Sequence, residues 1–172
     1  MKPVVIDNFL EIQSFQNLQN IMFEENFCWS YNEGIDYSDE EGDKFQFTHN
    51  FYKNNTGPSS QHYGKLSNVL NEIKPKEIYR IKANLLTRTS EIEVNSFHND
   101  IDDLGILPWT TSIFYVNTNN GYTEFEDGTK VESVANRLIT FPANLKHRGT
   151  SCTDEKRRIV INFNYFSRHL IK

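Results

Sequence analysis

The sequence contains little cysteine and no Cys-x-x-Cys pair. Its two cysteines, Cys28 and Cys152, are far apart, which excludes a zinc knuckle and a dithiol redox motif. No apolar run is long enough to span a membrane, and Asp7 and Glu11 interrupt the N-terminal segment before a signal-peptide core could form. We therefore expect an intracellular, cytoplasmic protein without a membrane segment, because a reducing compartment suits two unpaired thiols.

Positive charge is scarcer than negative charge. The chain has 18 Lys and Arg against 23 Asp and Glu, and its formal net charge is −5. Nucleic acid is disfavoured as a partner, because broad binding to its backbone requires a basic surface. An acidic run within residues 36–43 does not have the spacing of a calcium-binding loop and is interpreted as a solvated loop.

Basic residues are concentrated just around and after position 147, on an otherwise acidic chain. They predict either a solvated surface loop or a surface that attracts an anionic substrate, and the sequence leaves both readings open. The residues are Lys146, Arg148, Lys156, Arg157 and Arg158.

Methionine and tryptophan are also rare, with two residues each, whereas 13 Phe and eight Tyr are available to fill a core. The length of 172 residues suits one domain, and no linker or internal repeat divides it. We expect a single domain over residues 1–172, with a helical part at about 1–75 and a β-rich part at about 76–167.

Apolar residues at helical spacing predict two helices before residue 75. Asp7 or Asn8 is the expected cap of the first helix, and the second should end at Lys74 because Pro75 follows it. The apolar positions are Phe15, Leu18, Ile21 and Met22 in the first helix, and Leu66, Val69, Leu70 and Ile73 in the second.

After Pro75 the pattern changes to short β-type runs separated by turn-forming residues. Several short strands at this spacing predict a jelly roll. The expected fold is mainly β (α+β), with a β-core and the N-terminal helices packed outside it. The runs are EIYRIKANLL, EIEVNSF, TTSIFYVN, YTEFED, NRLITF and RRIVINFNYF.

The candidate chemistry begins with His98 and Asp100, which lie two residues apart and so share one face of an extended segment. His147 follows a predicted strand and a Pro-containing turn that could return it beside this pair. Two imidazoles and one carboxylate form the facial triad of non-haem Fe(II) oxygenases, which leaves positions open for substrate and O2. The same three residue types also form catalytic zinc sites.

Arg158 opens the last strand, eleven positions after His147, and is a candidate partner for a dicarboxylate. Arg157 competes with it. Strand alternation favours Arg158, because its face also carries polar Asn162 and Asn164 whereas the face of Arg157 is apolar.

Three further polar residues are candidates for the same cavity. Tyr115 could donate a phenolic hydrogen bond. Asn84 and Asn162 could add polar contacts or be ordinary hydrogen-bonded residues of a β-core.

The motifs FHND, IFYVN, NGYTEFEDG, NRLITFPANLKH and RRIVINFNYF occur in one order across about Tyr79 to Phe166. Because these motifs occur together and in the family's order, the chain resembles the prolyl-4-hydroxylase-like group of the 2-oxoglutarate/Fe(II) dioxygenase superfamily. The resemblance implies a double-stranded β-helix in which His98, Asp100 and His147 bind Fe(II). It also implies that Arg158 pairs with the C5 carboxylate of 2-oxoglutarate and that Tyr115 is its hydroxyl partner.

The activity implied by the resemblance is hydroxylation of an unidentified peptide or small-molecule substrate, coupled to oxidative decarboxylation of 2-oxoglutarate by O2, with ascorbate as an optional reductant. The alternatives are a zinc-dependent hydrolase, for which Arg158 and Tyr115 have no role, and a non-catalytic jelly-roll binding module. The nucleic-acid demethylase branch of the superfamily is disfavoured, because its members carry a second arginine where this chain has Asn164.

The remaining histidines, and an aromatic group near the N-terminal half, are not assigned to the metal site. The aromatic residues are interpreted as core or rim in preference to a substrate groove. These residues are His49, His62 and His169, and Trp29, Tyr31, Tyr37 and Tyr52.

Overall fold

The computed structural model describes residues 2–35, 44–101 and 108–167, and it is built around one large antiparallel sheet. This main sheet has the strand order β1-β9-β6-β11-β5-β3-β2, with β4 paired to β3. Its strands are β1 (Val4–Ile6), β2 (Ser30–Asn32), β3 (Gln46–Lys53), β4 (Gly57–Pro58), β5 (Glu77–Thr87), β6 (Trp109–Tyr115), β9 (Arg137–Pro142) and β11 (Arg157–Phe166).

A smaller antiparallel sheet has the order β10-β7-β8, with β7 at Tyr122–Phe125, β8 at Lys130–Glu132 and β10 at His147–Gly149. The segment before β6 extends this sheet through two isolated bridges, Val94 to Thr150 and His98 to His147. Two sheets joined in this way form the predicted double-stranded β-helix, and the fold prediction is confirmed.

Two α-helices precede the main run of strands, as predicted. Helix α1 spans Ile12–Phe23 and helix α2 spans Ser67–Ile73, directly after a 3-10 helix at Tyr63–Leu66. Helix α2 ends before Lys74, whose φ of 48° closes the helix in a left-handed conformation. No helix among the described residues is long and apolar enough to cross a membrane.

The predicted cap of α1 is wrong. Glu11 is the N-cap, and its side chain accepts a hydrogen bond from the backbone N–H of Ser14. Asp7 instead binds Arg137 at the start of β9, where Nε lies 2.6 Å from Oδ1. Asn8 takes a φ of 51° in the turn that leads from β1 to the helix. The long-range ion pair places Asp7 outside the helix.

The two faces of β11 have different environments, because side chains alternate along a strand. Ile159, Ile161 and Phe163 belong to the larger apolar cluster, together with Phe15, Leu18 and Met22 of helix α1. Arg157 faces the same side, and its guanidinium lies over the ring of Phe23 at 4.2 Å. The opposite face of β11 points into a cavity between the sheets.

The structure differs from the predicted strands in one place. The run EIEVNSF forms an isolated bridge at Val94 in place of a strand, and a second bridge follows it at His98. The part before residue 75 also contains strands, at Val4–Ile6 and within FQFTHNFY, where the residue pattern is strand-like. Their pairing of β1 with β9 and of β3 with β5 links residues far apart in sequence, which the local pattern does not specify.

Candidate active site

Three predicted ligand residues, His98, Asp100 and His147, come together between the two sheets. Their candidate ligand atoms all lie within 4.8 Å of one another. Backbone hydrogen bonds hold His98 beside His147, because the N–H of each residue donates to the carbonyl oxygen of the other at 3.0 Å. The bridge holds a residue that precedes β6 beside the first residue of β10.

Each histidine ring is oriented by a nearby carbonyl group. The Nδ1 atom of His147 lies 3.0 Å from the carbonyl oxygen of Leu145, and Nδ1 of His98 lies 3.2 Å from that of Ser96. A ring that donates from Nδ1 keeps Nε2 as the acceptor, which is the form that binds a metal ion. Burial lowers the pKa of His147, and this favours the neutral imidazole.

Asp100 is held by donors on three strands. Its Oδ1 atom accepts from Arg80 Nη2 at 3.1 Å, and its Oδ2 atom accepts from Thr111 Oγ1 at 2.8 Å and from Asn164 Nδ2 at 3.0 Å. Arg80 also donates from Nε to Asn164 Oδ1 at 3.1 Å. Burial opposes ionisation of Asp100, but the charge of Arg80 and the hydrogen bond from Thr111 keep the pKa of the carboxyl group below its usual value.

The metal-binding geometry therefore fits a divalent ion that takes two imidazoles and one carboxylate. Asp100 remains an anion, and the two histidines can present neutral nitrogen atoms on the same side. This donor set suits Fe(II) and also Zn(II). The choice between them depends on what else lines the cavity.

The cavity beside these three residues has a volume of about 510 Å³. One wall consists of alternate residues of β5 and β11, and Asn32, Gly34 and Ile35 lie at its rim. The lining residues from the two strands are Arg80, Lys82, Asn84 and Leu86 of β5, and Arg158, Val160 and Asn162 of β11.

Arg158 faces this cavity, in agreement with the strand alternation predicted for β11, and its residue is only 4% exposed. Its Nε atom donates to Ser133 Oγ at 2.9 Å, and Nη2 donates to the carbonyl oxygen of Tyr122 and to Thr123 Oγ1, both at 3.3 Å. Nη1 makes no hydrogen bond within the described ranges. Burial lowers the pKa of Arg158, but an arginine remains charged in a protein.

The Nη1 atom of Arg158 is reachable because Gly149 has no side chain. A Cβ atom at position 149 would lie 3.4 Å from Nη1. A buried guanidinium with unused N–H groups beside a cavity is suited to bind a carboxylate in a forked geometry.

Tyr115 lies near Arg158 but its hydroxyl group is already engaged. It donates to Thr123 Oγ1 at 2.8 Å, and its ring centroid is 5.8 Å from the guanidinium carbon of Arg158. Thr123 accepts from both Tyr115 and Arg158, so its own hydroxyl hydrogen can point into the cavity that it lines. Sequence reasoning did not identify Thr123, although it lies on the predicted strand YTEFED.

Asn84 and Asn162 both line the cavity, as predicted. The Oδ1 atom of each is buried and makes no hydrogen bond in the described part of the chain. A buried amide oxygen without a partner is unusual in a β-core, and both side chains are therefore available to a ligand.

Sequence reasoning also missed Arg80, Lys82 and Thr111. The signal for the first two was available, because in β5 they alternate with Ile81 and Ala83 of the apolar core in the same way as Arg158 alternates with Ile159. The predicted site used this alternation for β11 alone. Asn164 was predicted to share the cavity face with Arg158, but its contact with Asp100 was not predicted.

The basic residues around position 147 do not form one surface. Lys146 pairs with Glu126 at 3.5 Å, and Arg148 pairs with Glu124 at 2.7 Å while lying over the ring of Phe97. Together with the placement of Arg157 against α1, these contacts favour the interpretation of Lys146, Arg148 and Arg157 as ordinary surface charges, whereas Arg158 is buried in the cavity. Neutralised and dispersed cations attract a substrate only weakly.

The remaining candidates within the described residues make their contacts elsewhere. His49 is hydrogen-bonded to the Cys28 carbonyl oxygen and to Ser60, and the ring of His62 lies near Gln61. Trp29 and Tyr52 pack against the larger apolar cluster, while Tyr31 lies against Phe45 and Phe47 on the outside of the sheet. Tyr37, His169 and the acidic residues of 36–43 lie outside the described residues.

No protein-family model matches this sequence, and comparison with curated proteins found no match. Solved structures do match. A prolyl hydroxylase from Trichoplax adhaerens, in complex with a peptide of the hypoxia inducible factor oxygen degradation domain, superposes with a TM-score of 0.65 at 12% identity. The match covers 95% of this chain and 83% of that one.

Two further structures agree. An oxidoreductase of the 2OG-Fe(II) oxygenase family from Burkholderia pseudomallei has a TM-score of 0.67 at 10% identity, covering 97% of this chain and 85% of that one. The viral collagen prolyl hydroxylase of Paramecium bursaria Chlorella virus-1, in its 2-oxoglutarate complex, has a TM-score of 0.56 at 13% identity, covering 98% and 97%. The chain therefore has the fold of the 2-oxoglutarate/Fe(II) oxygenases.

Proposed function

We propose that this chain is a non-haem Fe(II) dioxygenase that uses 2-oxoglutarate and O2 to hydroxylate a peptide or small-molecule substrate. One observation carries the proposal: the cavity that contains the His98, Asp100 and His147 group also contains Arg158, a buried cation with unused N–H groups. A zinc hydrolase gives this arginine no role, and a binding module with structural histidines gives none to the converging ligand atoms of His98, Asp100 and His147.

In this proposal His98, Asp100 and His147 hold Fe(II). When iron and 2-oxoglutarate are bound, they supply the oxidising chemistry, in which O2 is consumed, 2-oxoglutarate becomes succinate and CO2, and one oxygen atom enters a C–H bond of the substrate. The protein residues set the protonation states that this requires. His147 is neutral because it is buried, and Asp100 stays ionised because Arg80 and Thr111 donate to it.

Arg158 would bind the C5 carboxylate of 2-oxoglutarate through Nη1, the atom that Gly149 leaves accessible. Thr123 would add its hydroxyl group to the same carboxylate. Tyr115, predicted to be the direct hydroxyl partner, would act through Thr123, because it donates to Thr123 Oγ1. Asn84 and Asn162 would contact the cosubstrate along the wall between Arg158 and Asp100.

The substrate would enter past the rim at Asn32 and Gly34. A peptide is a reasonable first candidate, because one structural neighbour is a prolyl hydroxylase bound to a peptide. We place the enzyme in the cytoplasm, which suits a chain whose two cysteines, Cys28 and Cys152, are both free thiols.

Calorimetry of 2-oxoglutarate binding to the anaerobic Mn(II)-loaded protein tests the proposal. Arg158→Met should weaken binding by about tenfold or more, since charge-assisted hydrogen bonds are lost in a buried site. Arg157→Met is the matched control, because Arg157 lies on the opposite face of β11, and it should leave the affinity unchanged. Wild-type protein that bound Mn(II) but not 2-oxoglutarate would contradict the proposal, as would the reverse ranking of the two variants.

A further inference from the structure

Lys82 lies in the middle of the main sheet and faces the cavity. Its strand, β5, is flanked on one side by β11, where Asn162 is opposite, and on the other by β3, where Asn50 is opposite. The neighbouring residues Ile81 and Ala83 belong to the apolar core behind the sheet. The register therefore directs the Lys82 side chain into the same space as the proposed metal and cosubstrate.

The ammonium group of Lys82 has no hydrogen bond or ion pair with any residue that the structure describes. The other two cations of the cavity differ, because Arg80 pairs with Asp100 and Arg158 donates to Ser133 and Thr123. A partly buried ammonium group without a hydrogen-bond acceptor is unfavourable. Burial and the charge of Arg80 lower the pKa of Lys82 to about 8, although the nearby Asp100 carboxylate acts to raise it. An incoming anion would supply the missing acceptor.

The net charge of the described lining residues also favours an anionic ligand. Among the described lining residues there are three cations, Arg80, Lys82 and Arg158, and one carboxylate, Asp100. Loading the site with Fe(II) and 2-oxoglutarate adds two positive and two negative charges, so the positive excess remains. Counted over the described lining residues, a neutral substrate would leave two positive charges uncompensated, whereas a carboxylate would offset one of them.

Lys82 is also badly placed to serve the C5 carboxylate of 2-oxoglutarate. Arg158 is opposite Leu86, which is four residues along β5 from Lys82, or about 13 Å at the usual rise per residue. Arg80, which binds the metal-ligand residue Asp100, is only two residues from Lys82. Lys82 thus belongs to the metal end of the cavity, where the reacting part of the substrate must lie.

We propose that Lys82 pairs with a carboxylate of the primary substrate and so makes the enzyme selective for carboxylate-bearing molecules over their neutral amides. The inference rests on the proposed function, since it takes 2-oxoglutarate as the ligand of Arg158. It also moves the recognition of an anionic substrate from the surface around Lys146 and Arg148 into the cavity itself.

The test uses the full chain loaded with Zn(II) and 2-oxoglutarate, which does not turn over, and a pair of probes, N-acetyl-L-proline and N-acetyl-L-prolinamide. Ligand-observed NMR should show the acid binding about tenfold more tightly than the amide. The preference should disappear in Lys82→Met and remain in Lys82→Arg. Lys65→Met, at an exposed lysine of the 3-10 helix, is the control and should keep it.

A second measurement needs no variant. In the loaded wild-type protein, propionate should slow acetylation of Lys82 by acetic anhydride several-fold more than propionamide does, as followed by peptide mass spectrometry, while Lys65 should react equally in both. Equal effects of the two probe types on Lys82, including no effect of either, would overturn the proposal.

A third measurement separates the two possible carboxylate sources. Lys82→Met should leave the affinity of the Mn(II)-loaded protein for 2-oxoglutarate within about threefold of wild type, whereas Arg158→Met should not. If the two variants weakened 2-oxoglutarate binding alike, Lys82 would belong to the cosubstrate and the inference would be wrong. Failure of the wild-type protein to bind 2-oxoglutarate at all would instead refute the proposed function.

Discussion

The Nη2 atom of Arg80 lies 3.1 Å from the Oδ1 atom of Asp100, and both groups are tied to Asn164 on the neighbouring strand. This contact fixes one oxygen of a metal-ligand candidate while Thr111 and Asn164 bind the other. Arg80 acts on the metal site only through Asp100, so it is a positioning residue. Its effect should therefore appear in metal affinity and in ligand geometry.

We expect Arg80→Met to weaken Mn(II) binding about 10- to 100-fold, which is the usual effect of removing the partner of a metal ligand. The visible spectrum of the Co(II)-loaded variant should also change, because Asp100 is no longer oriented. Arg88→Met, at an exposed arginine just beyond β5, is the matched control. Unchanged Mn(II) affinity and an unchanged Co(II) spectrum in Arg80→Met would show that the contact has no such role.

Replacing one of the metal-binding histidines should abolish tight metal binding. We expect anaerobic wild-type protein to bind one Fe(II) per chain and His147→Ala to lose this, since two ligand atoms hold the ion far less well than three. His49→Ala is the control, because His49 binds the Cys28 carbonyl oxygen and Ser60 instead. Stoichiometric iron in a variant with alanine at positions 98, 100 and 147 would refute the ligand assignment.

Two glycines near Arg158 should respond differently to the same small change. In Gly149→Ala the new Cβ atom lies 3.4 Å from Arg158 Nη1, so 2-oxoglutarate binding should weaken several-fold with little change in stability. In Gly121→Ala it would lie 2.5 Å from the backbone oxygen of Ser151, which cannot move freely. The second variant should lose about 1–3 kcal/mol of stability.

Urea denaturation and calorimetry of both glycine variants test this contrast. Weakened 2-oxoglutarate binding in Gly149→Ala at wild-type stability would place the ligand at Nη1 of Arg158. Full affinity in Gly149→Ala would mean that the carboxylate does not approach Arg158 from this side.

The stability of the ligand-free protein should depend on Lys82 in a pH range set by its pKa. Burial and the charge of Arg80 lower this pKa from 10.5 to about 8 in the folded chain. The charged amine therefore destabilises the folded state fully below about pH 8, and this penalty disappears as the pH rises from about 8 to 10.5.

At pH 7 we expect Lys82→Met to raise the free energy of unfolding of the metal-free protein by about 1–2 kcal/mol, because it removes a poorly paired charge. The gain should shrink at pH 9.5. Urea denaturation at the two pH values checks this, with Lys65→Met as the control. A gain that is the same at both pH values would mean that it arises from packing and not from ionisation of Lys82.

Local sequence patterns determined several features of this protein. The alternation in RRIVINFNYF placed Arg158 on the cavity face and Arg157 on the core face, because side-chain direction in a strand is set by position alone. Helix α2 ends before Lys74 for an equally local reason, since Pro75 cannot continue it. The spacing of His98 and Asp100 likewise keeps two candidate ligands close together, whatever their position in the fold.

Only the tertiary structure determined which distant residues contact these side chains. Arg80, Thr111 and Asn164 converge on Asp100 because β5, β6 and β11 are neighbours in the sheet, although they are far apart in sequence. The same long-range pairing placed Thr123 between Tyr115 and the cavity. It also left Lys82 facing the cavity without a partner among the described residues. A sequence pattern specifies the face on which a side chain lies, but charge pairing and burial depend on which distant strand lies opposite.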